Sequence, residues 1–224
     1  MRDVKTLAYV MRRTNFGEAD RILNLITPEG KMSAIAKGVR KEKSKLAGGV
    51  EMFSLVELNL HFGKGEMATV TSAKMISYFG NILKDFRRME IAAEILKRIS
   101  LAAESSDAPE YFKITDSCLK GLNAGLDLRL VESWFLLNFA KTLGEEINLY
   151  RDADGEKLMA GQRYSFMATE NALIQNPAGE YGEDEIKIMR LMLVTELMTI
   201  SRVKDIEKSL AMVLRFSRIV NKMI

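Results

Sequence analysis

The first 78 residues alternate apolar and polar side chains in the manner of β-strands. In one stretch every second residue is apolar, namely Val56, Leu58, Leu60 and Phe62. This period of two is typical of a strand with one buried face. Gly63-Lys64-Gly65 then supplies a turn, and residues 67–78 are rich in Thr, Val, Ile and Tyr. The two stretches therefore predict a β-hairpin.

Three further strands precede this hairpin. Residues 21–27 form a short apolar run that ends at Pro28-Glu29-Gly30, and residues 31–37 resume it. A turn of this composition predicts a second hairpin. Residues 7–11 complete a set of about five strands. Short strands joined by tight turns and one longer basic loop predict a small closed barrel.

After Gly80 the period changes to that of an α-helix. Ile91, Ile95 and Ile99 recur every four residues, with charged side chains on the other faces. Further helical stretches are predicted at residues 111–122, 128–143, 184–200 and 203–220. We therefore predict an α+β chain of two domains, with a barrel in residues 1–80 and an all-α helical domain in residues 81–224.

Residues 144–182 interrupt the helical pattern. This stretch contains several glycines and Pro177, and residues 144–185 hold ten acidic residues but only three basic ones. Leu158-Met159-Ala160 and Tyr164-Ser165-Phe166 are candidate short strands. We interpret the stretch as an irregular insertion between helices. Asp152-Ala153-Asp154-Gly155-Glu156 lacks the ligand spacing of a calcium loop and is interpreted as an acidic turn.

Charge is distributed unevenly along the chain. The net charge is +3, yet residues 1–80 carry 13 Lys and Arg against 8 Asp and Glu. Residues 31–45 hold six basic residues and one acid, Glu42. Such a cluster is typical of a polyanion-binding patch. A solvated lysine-rich loop explains the composition equally well.

Few residues suit catalysis or metal binding. The chain has one cysteine, Cys118, and one histidine, His61, in different predicted domains. We interpret the cysteine as a small buried residue and the histidine as a surface residue. The sequence thus predicts no enzyme, no zinc and no cofactor. Charges interrupt the N-terminal residues and no long apolar stretch is present, so a cytoplasmic protein without signal peptide or membrane contact is predicted.

A series of motifs in residues 5–75 has a more specific meaning. They are Phe16-Gly17-Glu18-Ala19-Asp20-Arg21, Ile22-Leu23-Asn24-Leu25-Ile26-Thr27, Gly30-Lys31, Ala34-Ile35-Ala36-Lys37-Gly38-Val39-Arg40-Lys41, Lys43-Ser44-Lys45-Leu46-Ala47-Gly48 and Phe53-Ser54-Leu55-Val56-Glu57-Leu58. In order and spacing this region resembles the N-terminal part of the RecO family of bacterial recombination and repair mediators. Ile206-Glu207-Lys208-Ser209-Leu210 resembles the final helix of the family, with less specificity.

The resemblance implies an OB-fold followed by a helical domain. It also implies a mediator that binds single- and double-stranded DNA, anneals complementary strands and helps load RecA onto DNA coated by single-strand-binding protein. The implied partners are RecR, the C-terminal tail of single-strand-binding protein, RecA and, in many bacteria, RecF. The implied location is the cytoplasm, in association with the nucleoid. Many members carry a four-cysteine zinc element in the helical domain. The insertion at residues 144–182 has no cysteine, which places the role of that element in doubt here.

The basic residues of the barrel are the candidate DNA-binding residues. We expect the main phosphate contacts from Lys37, Arg40, Lys41, Lys43 and Lys45, with further candidates in Arg21, Lys31 and Lys64. Phosphate contacts carry no sequence information, so sequence-tolerant binding is expected. An ion pair between Asp20 and Arg21 is an alternative role for that arginine.

The last predicted helix supplies a candidate partner-binding surface. Lys204 and Lys208 are four residues apart and would share a helix face, with Arg215 seven residues further on. A basic face of this kind suits the acidic tail of single-strand-binding protein. A solvated face of an amphipathic helix is the alternative. A second hypothesis for the whole chain is a helical interaction adaptor in which the barrel is only a scaffold.

Overall fold

A computed structural model describes residues 2–65 and 67–222. The chain divides into two compact units, of which the first runs to Ala124 and the second begins at Gly125. The first unit contains five strands and two helices, β1 (Arg2–Phe16), β2 (Asp20–Thr27), β3 (Gly30–Ala36), β4 (Ser54–Phe62), β5 (Ala68–Tyr78), α1 (Phe86–Ala102) and α2 (Glu110–Ala124).

The five strands close into a barrel with the order β1-β2-β3-β5-β4. All neighbouring strands are antiparallel except β3 and β5, which pair in parallel at Ala34–Ala68 and Ile35–Thr69. This is the Greek-key order of an OB-fold. The predicted barrel is thus confirmed, although β1 is longer than the predicted strand at residues 7–11.

Alternation along the strands fills the barrel with small and aliphatic side chains. The buried cluster inside it includes Val10, Leu23, Leu25, Leu58 and Leu60, each at most 1% exposed. Because neighbouring residues of a strand point to opposite faces, the residues between them lie on the outside. A β-bulge between Val10 and Arg12 shifts this alternation by one residue where β1 passes from β4 to β2.

Strand directions give the barrel two distinct ends. One end, here called the loop end, contains the β1–β2 turn and the segment that leaves β3 at Ala36 and enters β4 at Ser54. The opposite end contains the β2–β3 turn, the β4–β5 turn and the start of β1, where Arg2 pairs with Phe62.

Both helices of the first unit pack on the outside of the barrel. Tyr9 on β1 is buried, and its hydroxyl donates to the Asp116 carboxylate of α2 at 2.6 Å. Burial and this carboxylate raise the pKa of Tyr9. Strands end at Tyr78, close to the predicted domain boundary at 80/81, but the compact unit extends through both helices to Ala124.

The second unit is built around a buried helix. Its elements are α3 (Leu128–Thr142), β6 (Tyr164–Met167), β7 (Ala172–Gln175), α4 (Glu183–Val194), α5 (Leu197–Ile200) and α6 (Leu210–Val220). α3 packs against α4 and α6, and most of its side chains are buried, including Trp134. None of the described helices has the length and apolar composition of a membrane span.

The insertion at residues 144–182 contains a two-stranded sheet. β6 confirms the predicted strand at residues 164–166, whereas residues 158–160 are not a strand and β7 was not predicted. The Asp152 carboxylate accepts from the backbone amides of Asp154 and Glu156 at 3.1 and 2.8 Å. Residues 152–156 therefore form a turn that is closed by hydrogen bonds to the Asp152 side chain.

Two predicted helices are wrong in their extent. The helix predicted at residues 184–200 breaks after Val194, because α3 side chains bind the carbonyls at its end. Trp134 Nε1 donates to the Thr195 carbonyl at 2.9 Å, and Asn138 Nδ2 donates to Met192 at 3.0 Å. The helix predicted at residues 203–220 begins only at Leu210. Asp205, with φ +59°, interrupts the segment before it.

Candidate nucleic-acid interface

The basic loop, residues 37–45, is anchored to the β1–β2 turn at the loop end. The Asp20 carboxylate accepts from the backbone amide of Gly38 at 2.7 Å. The Arg40 amide donates to the Ala19 carbonyl at 2.9 Å, and its guanidinium donates to the Gly17 carbonyl at 3.3 Å. Gly17 and Gly38 adopt positive φ of +56° and +64°, which favours glycine at both positions. These bonds hold the loop and the turn together as one surface.

The lysines of the basic loop lie exposed at the loop end of the barrel. All five predicted phosphate ligands of the loop are exposed. Among the described residues, no carboxylate forms an ion pair with Lys37, Lys41, Lys43 or Lys45. An exposed cation without a partner keeps its full charge available for a ligand. The structure therefore presents these predicted residues together at one end of the barrel.

The segment that follows the basic loop packs tightly against β5. Gly49 is buried, and a Cβ built on it would lie 2.6 Å from the Ala73 side chain and 2.7 Å from the Ala73 carbonyl oxygen. Only glycine fits so close to a neighbouring backbone. Gly48, by contrast, has nothing within 4 Å of such a Cβ. The loop is thus fixed to the barrel on both sides.

Arg21 does not form the ion pair considered from the sequence. Asp20 bonds to Gly38, and the Arg21 Nε donates instead to the Asn15 side chain at 3.4 Å. Arg21 pairs with Ala36, the last residue of β3. Its backbone therefore lies beside the point where the basic loop begins. Its position at the loop end is compatible with the predicted DNA contact.

Lys31 is held by α1 rather than presented to solvent. Its ammonium donates to the Ser100 carbonyl at 3.2 Å and to the Glu104 carboxylate at 3.1 Å, and its side chain is 16% exposed. It lies at the opposite end of the barrel, next to the β2–β3 turn. The structure therefore separates Lys31 from the basic loop and gives it a structural role.

Lys64 also lies away from the basic loop. It is exposed in the β4–β5 turn, and β5 enters the sheet beside the middle of β3 and runs towards the loop end. The turn before β5 consequently lies at the opposite end of the barrel. The sequence predicted the turn that holds Lys64. It could not show at which end of the barrel this turn lies, because that depends on the strand directions.

The outer face of β1, β2 and β3 adds residues that sequence reasoning missed. Arg12 pairs with Asn24, which pairs with Ser33, and Leu23 and Leu25 point inwards. Arg12 is therefore an exposed cation on the outer surface of these strands. The alternation along the sequence does not show that Arg12 faces outwards, because the bulge before Arg12 shifts the alternation of β1 by one residue. In OB-folds, the face formed by the second and third strands binds oligonucleotides.

Cys118 and His61 both have structural surroundings that explain them. Cys118 is buried in α2, and burial raises the pKa of its thiol. His61 on β4 bonds through Nδ1 to the Asp3 carboxylate at 2.6 Å across the sheet. Within residues 2–65 and 67–222, no three His, Cys, Asp or Glu side chains are grouped as metal ligands.

The predicted partner site does not form a continuous helix face. Lys204 lies in a turn, and Lys208 ends a 3-10 helix (Ile206–Lys208), so the shared α-helical face predicted for them is wrong. The Lys208 ammonium bonds to Asp205 at 2.8 Å, and Arg215 on α6 bonds to Glu180 at 2.7 Å. Lys204 is exposed and forms no ion pair within the described part of the chain.

The structure defines the class of this protein as an OB-like barrel with an exposed basic loop, followed by a helical region. The family model described as recombination protein O N terminal matches residues 1–79. The chain belongs to the RecO family. Its fold class, an OB-like barrel followed by helices, is as the sequence predicted.

Curated relatives are named DNA repair protein RecO. The protein of Dehalococcoides mccartyi is 34% identical over 165 residues, which are 72% of this chain and 65% of that protein. A Roseiflexus protein is 34% identical, covering 68% of this chain and 55% of its own length. The Desulfitobacterium hafniense protein is 29% identical over 88% of this chain and 76% of its own length. The chain thus spans less than two thirds of the first two relatives.

Proposed function

We propose that this protein binds single-stranded DNA through the loop end of its barrel and acts as a mediator of DNA recombination and repair. One observation carries the proposal. The basic loop presents five exposed cations, and a carboxylate, two carbonyls and a close glycine contact fix it to the barrel. A fixed, unneutralised cluster of cations suits a polyanion.

Binding of this kind releases counterions and depends little on base sequence. Lysine contacts phosphate as a point charge, and phosphates are the same in every sequence. Neutralised phosphates also repel a complementary strand less, which favours annealing. Annealing of strands and loading of RecA are the activities that the family membership supports, and we include them in the proposal.

A salt titration tests the DNA site. Replacement of Lys37, Arg40, Lys41, Lys43 and Lys45 by Ala should weaken binding of all single-stranded sequences alike. If each charge neutralises one phosphate, the slope of log K against log salt should decrease in magnitude by roughly 3.5, at about 0.7 per contact. Circular dichroism and the midpoint of unfolding check that the fold is intact. Unchanged affinity would exclude the loop and favour the adaptor hypothesis.

We further propose that the second unit binds an acidic peptide tail with an apolar tip, as in single-strand-binding protein. Ala211, Leu214, Ile219 and basic side chains form a mixed apolar and basic face of α6, and Arg218 there bonds to Glu132 at 2.6 and 2.8 Å. Lys222 belongs to the same face, and Lys204 is a further exposed cation of this unit. RecR, RecA and RecF remain partners proposed from the family alone.

Peptide titrations test this partner site. Charge reversal at Lys204 and Lys222 should weaken binding of an acidic, Phe-terminated peptide and leave oligonucleotide affinity nearly unchanged. Leu214→Ser should weaken binding of the same peptide, because it removes an apolar contact for the tip of the tail. Equal losses of peptide and DNA binding would assign the two lysines to a DNA surface. Loss of neither would exclude this site for the tail.

A further inference from the structure

Phe16 is an exposed aromatic side chain at the loop end. It is the last residue of β1, it pairs with Asp20 across the turn, and it is 52% exposed. An aromatic ring is among the side chains that gain most from burial. The exposed ring of Phe16 is therefore available to pack against a ligand at the loop end.

The ring and the basic loop belong to one surface. Arg40 bonds through its amide to Ala19 and through its guanidinium to Gly17, the residue directly after Phe16. Asp20, which faces Phe16 across the turn, holds Gly38 of the loop. A strand whose phosphates contact the loop would thus have its bases within reach of the ring.

The outer face of the barrel extends the apolar surface behind Phe16. Thr14 pairs with Ile22, and Ile22 pairs with Ile35, in the next row of outward-pointing side chains. Both isoleucines are partly exposed. The loop end consequently combines cations for phosphates with an apolar platform for bases, the two components of single-strand binding sites.

We propose that Phe16 stacks on an unpaired base of the strand held by the basic loop. This inference rests on the proposed function and adds a base contact to it. In a duplex the faces of the bases are covered by their neighbours, whereas a single strand exposes them. The ring therefore selects single strands over duplexes, which the lysines alone cannot do.

An abasic oligonucleotide separates the two contacts, because it keeps the phosphates and lacks the bases. The wild-type chain should bind an ordinary single strand roughly tenfold tighter than an abasic strand of equal length. Phe16→Ala should remove this preference, leaving affinity for the abasic strand and the salt slope unchanged. Phe86→Ala, an exposed ring on α1 that is 68% exposed, is the matched control and should keep the preference.

A fluorescent variant gives a direct readout. Phe16→Trp should retain binding, and base stacking should quench its emission with the ordinary strand but not with the abasic one. Trp134 is buried and supplies a constant background. A retained preference in Phe16→Ala with an intact salt slope overturns the role of Phe16 alone. Absence of binding to either strand by the wild-type chain overturns the proposed function itself.

Discussion

The two ends of the barrel both carry lysines but hold them differently. At the opposite end, the Lys31 ammonium bonds to the Ser100 carbonyl of α1 and to the Glu104 carboxylate just after that helix. At the loop end, the lysines of the basic loop are exposed and form no ion pair within residues 2–65 and 67–222, while the backbone beneath them is anchored. Charge counted along the sequence treats these residues as equal. What distinguishes a binding site is cations without partners on a fixed backbone.

The largest expected effect concerns the anchoring of the loop. Gly49→Ala places a methyl group against the Ala73 backbone and should destabilise the fold by about 1–3 kcal/mol. The measurement is the midpoint of thermal or urea unfolding. Gly48→Ala is the matched control, since its methyl group meets open space and should change stability by less than about 0.5 kcal/mol. Equal effects at both glycines would contradict the close contact.

A smaller effect should separate the two kinds of lysine. Lys31→Ala removes the bonds to Ser100 and Glu104 and should reduce the free energy of unfolding by about 1 kcal/mol, with DNA affinity unchanged. Lys41→Ala should do the reverse, keeping stability and lowering the salt slope by about 0.7. Paired unfolding and binding titrations measure both. If Lys31→Ala weakened DNA binding as much as Lys41→Ala, the distinction between the two ends would fail.

The smallest effect is expected at Lys64. This exposed lysine lies at the opposite end of the barrel, so Lys64→Ala should weaken single-strand binding less than any lysine of the basic loop does. Fluorescence anisotropy with one short oligonucleotide at fixed salt compares the single variants. A loss equal to that of Lys43→Ala would show that the bound strand extends along the barrel to this turn.

The barrel and its basic loop could be predicted from sequence because their signals are local. Alternation at residues 56–62 depends only on neighbouring positions, and so does the cluster of lysines. The pairing of Asp20 with the Gly38 amide could not be predicted, since it joins residues 18 apart through the fold. The role of Lys31 required the position of α1.

The breaks in the last helices escaped prediction for a similar reason. The sequence of residues 184–200 keeps helical periodicity, but α3 side chains bind the carbonyls where α4 ends. Phe16 was missed as a candidate because it lies between the strands predicted at residues 7–11 and 21–27 and outside the cluster of basic residues. Only the closed barrel shows that this position faces outwards.

Lysine footprinting tests the central claim most directly. Acetylation of the intact chain, with and without a saturating single-stranded oligonucleotide, is quantified at each lysine by mass spectrometry. The account predicts protection of Lys37, Lys41, Lys43 and Lys45, and slow, DNA-independent modification of Lys31. The exposed Lys97 and Lys113 on α1 and α2 should react equally in both samples. Protection of the helix lysines with no change in the basic loop would contradict the account.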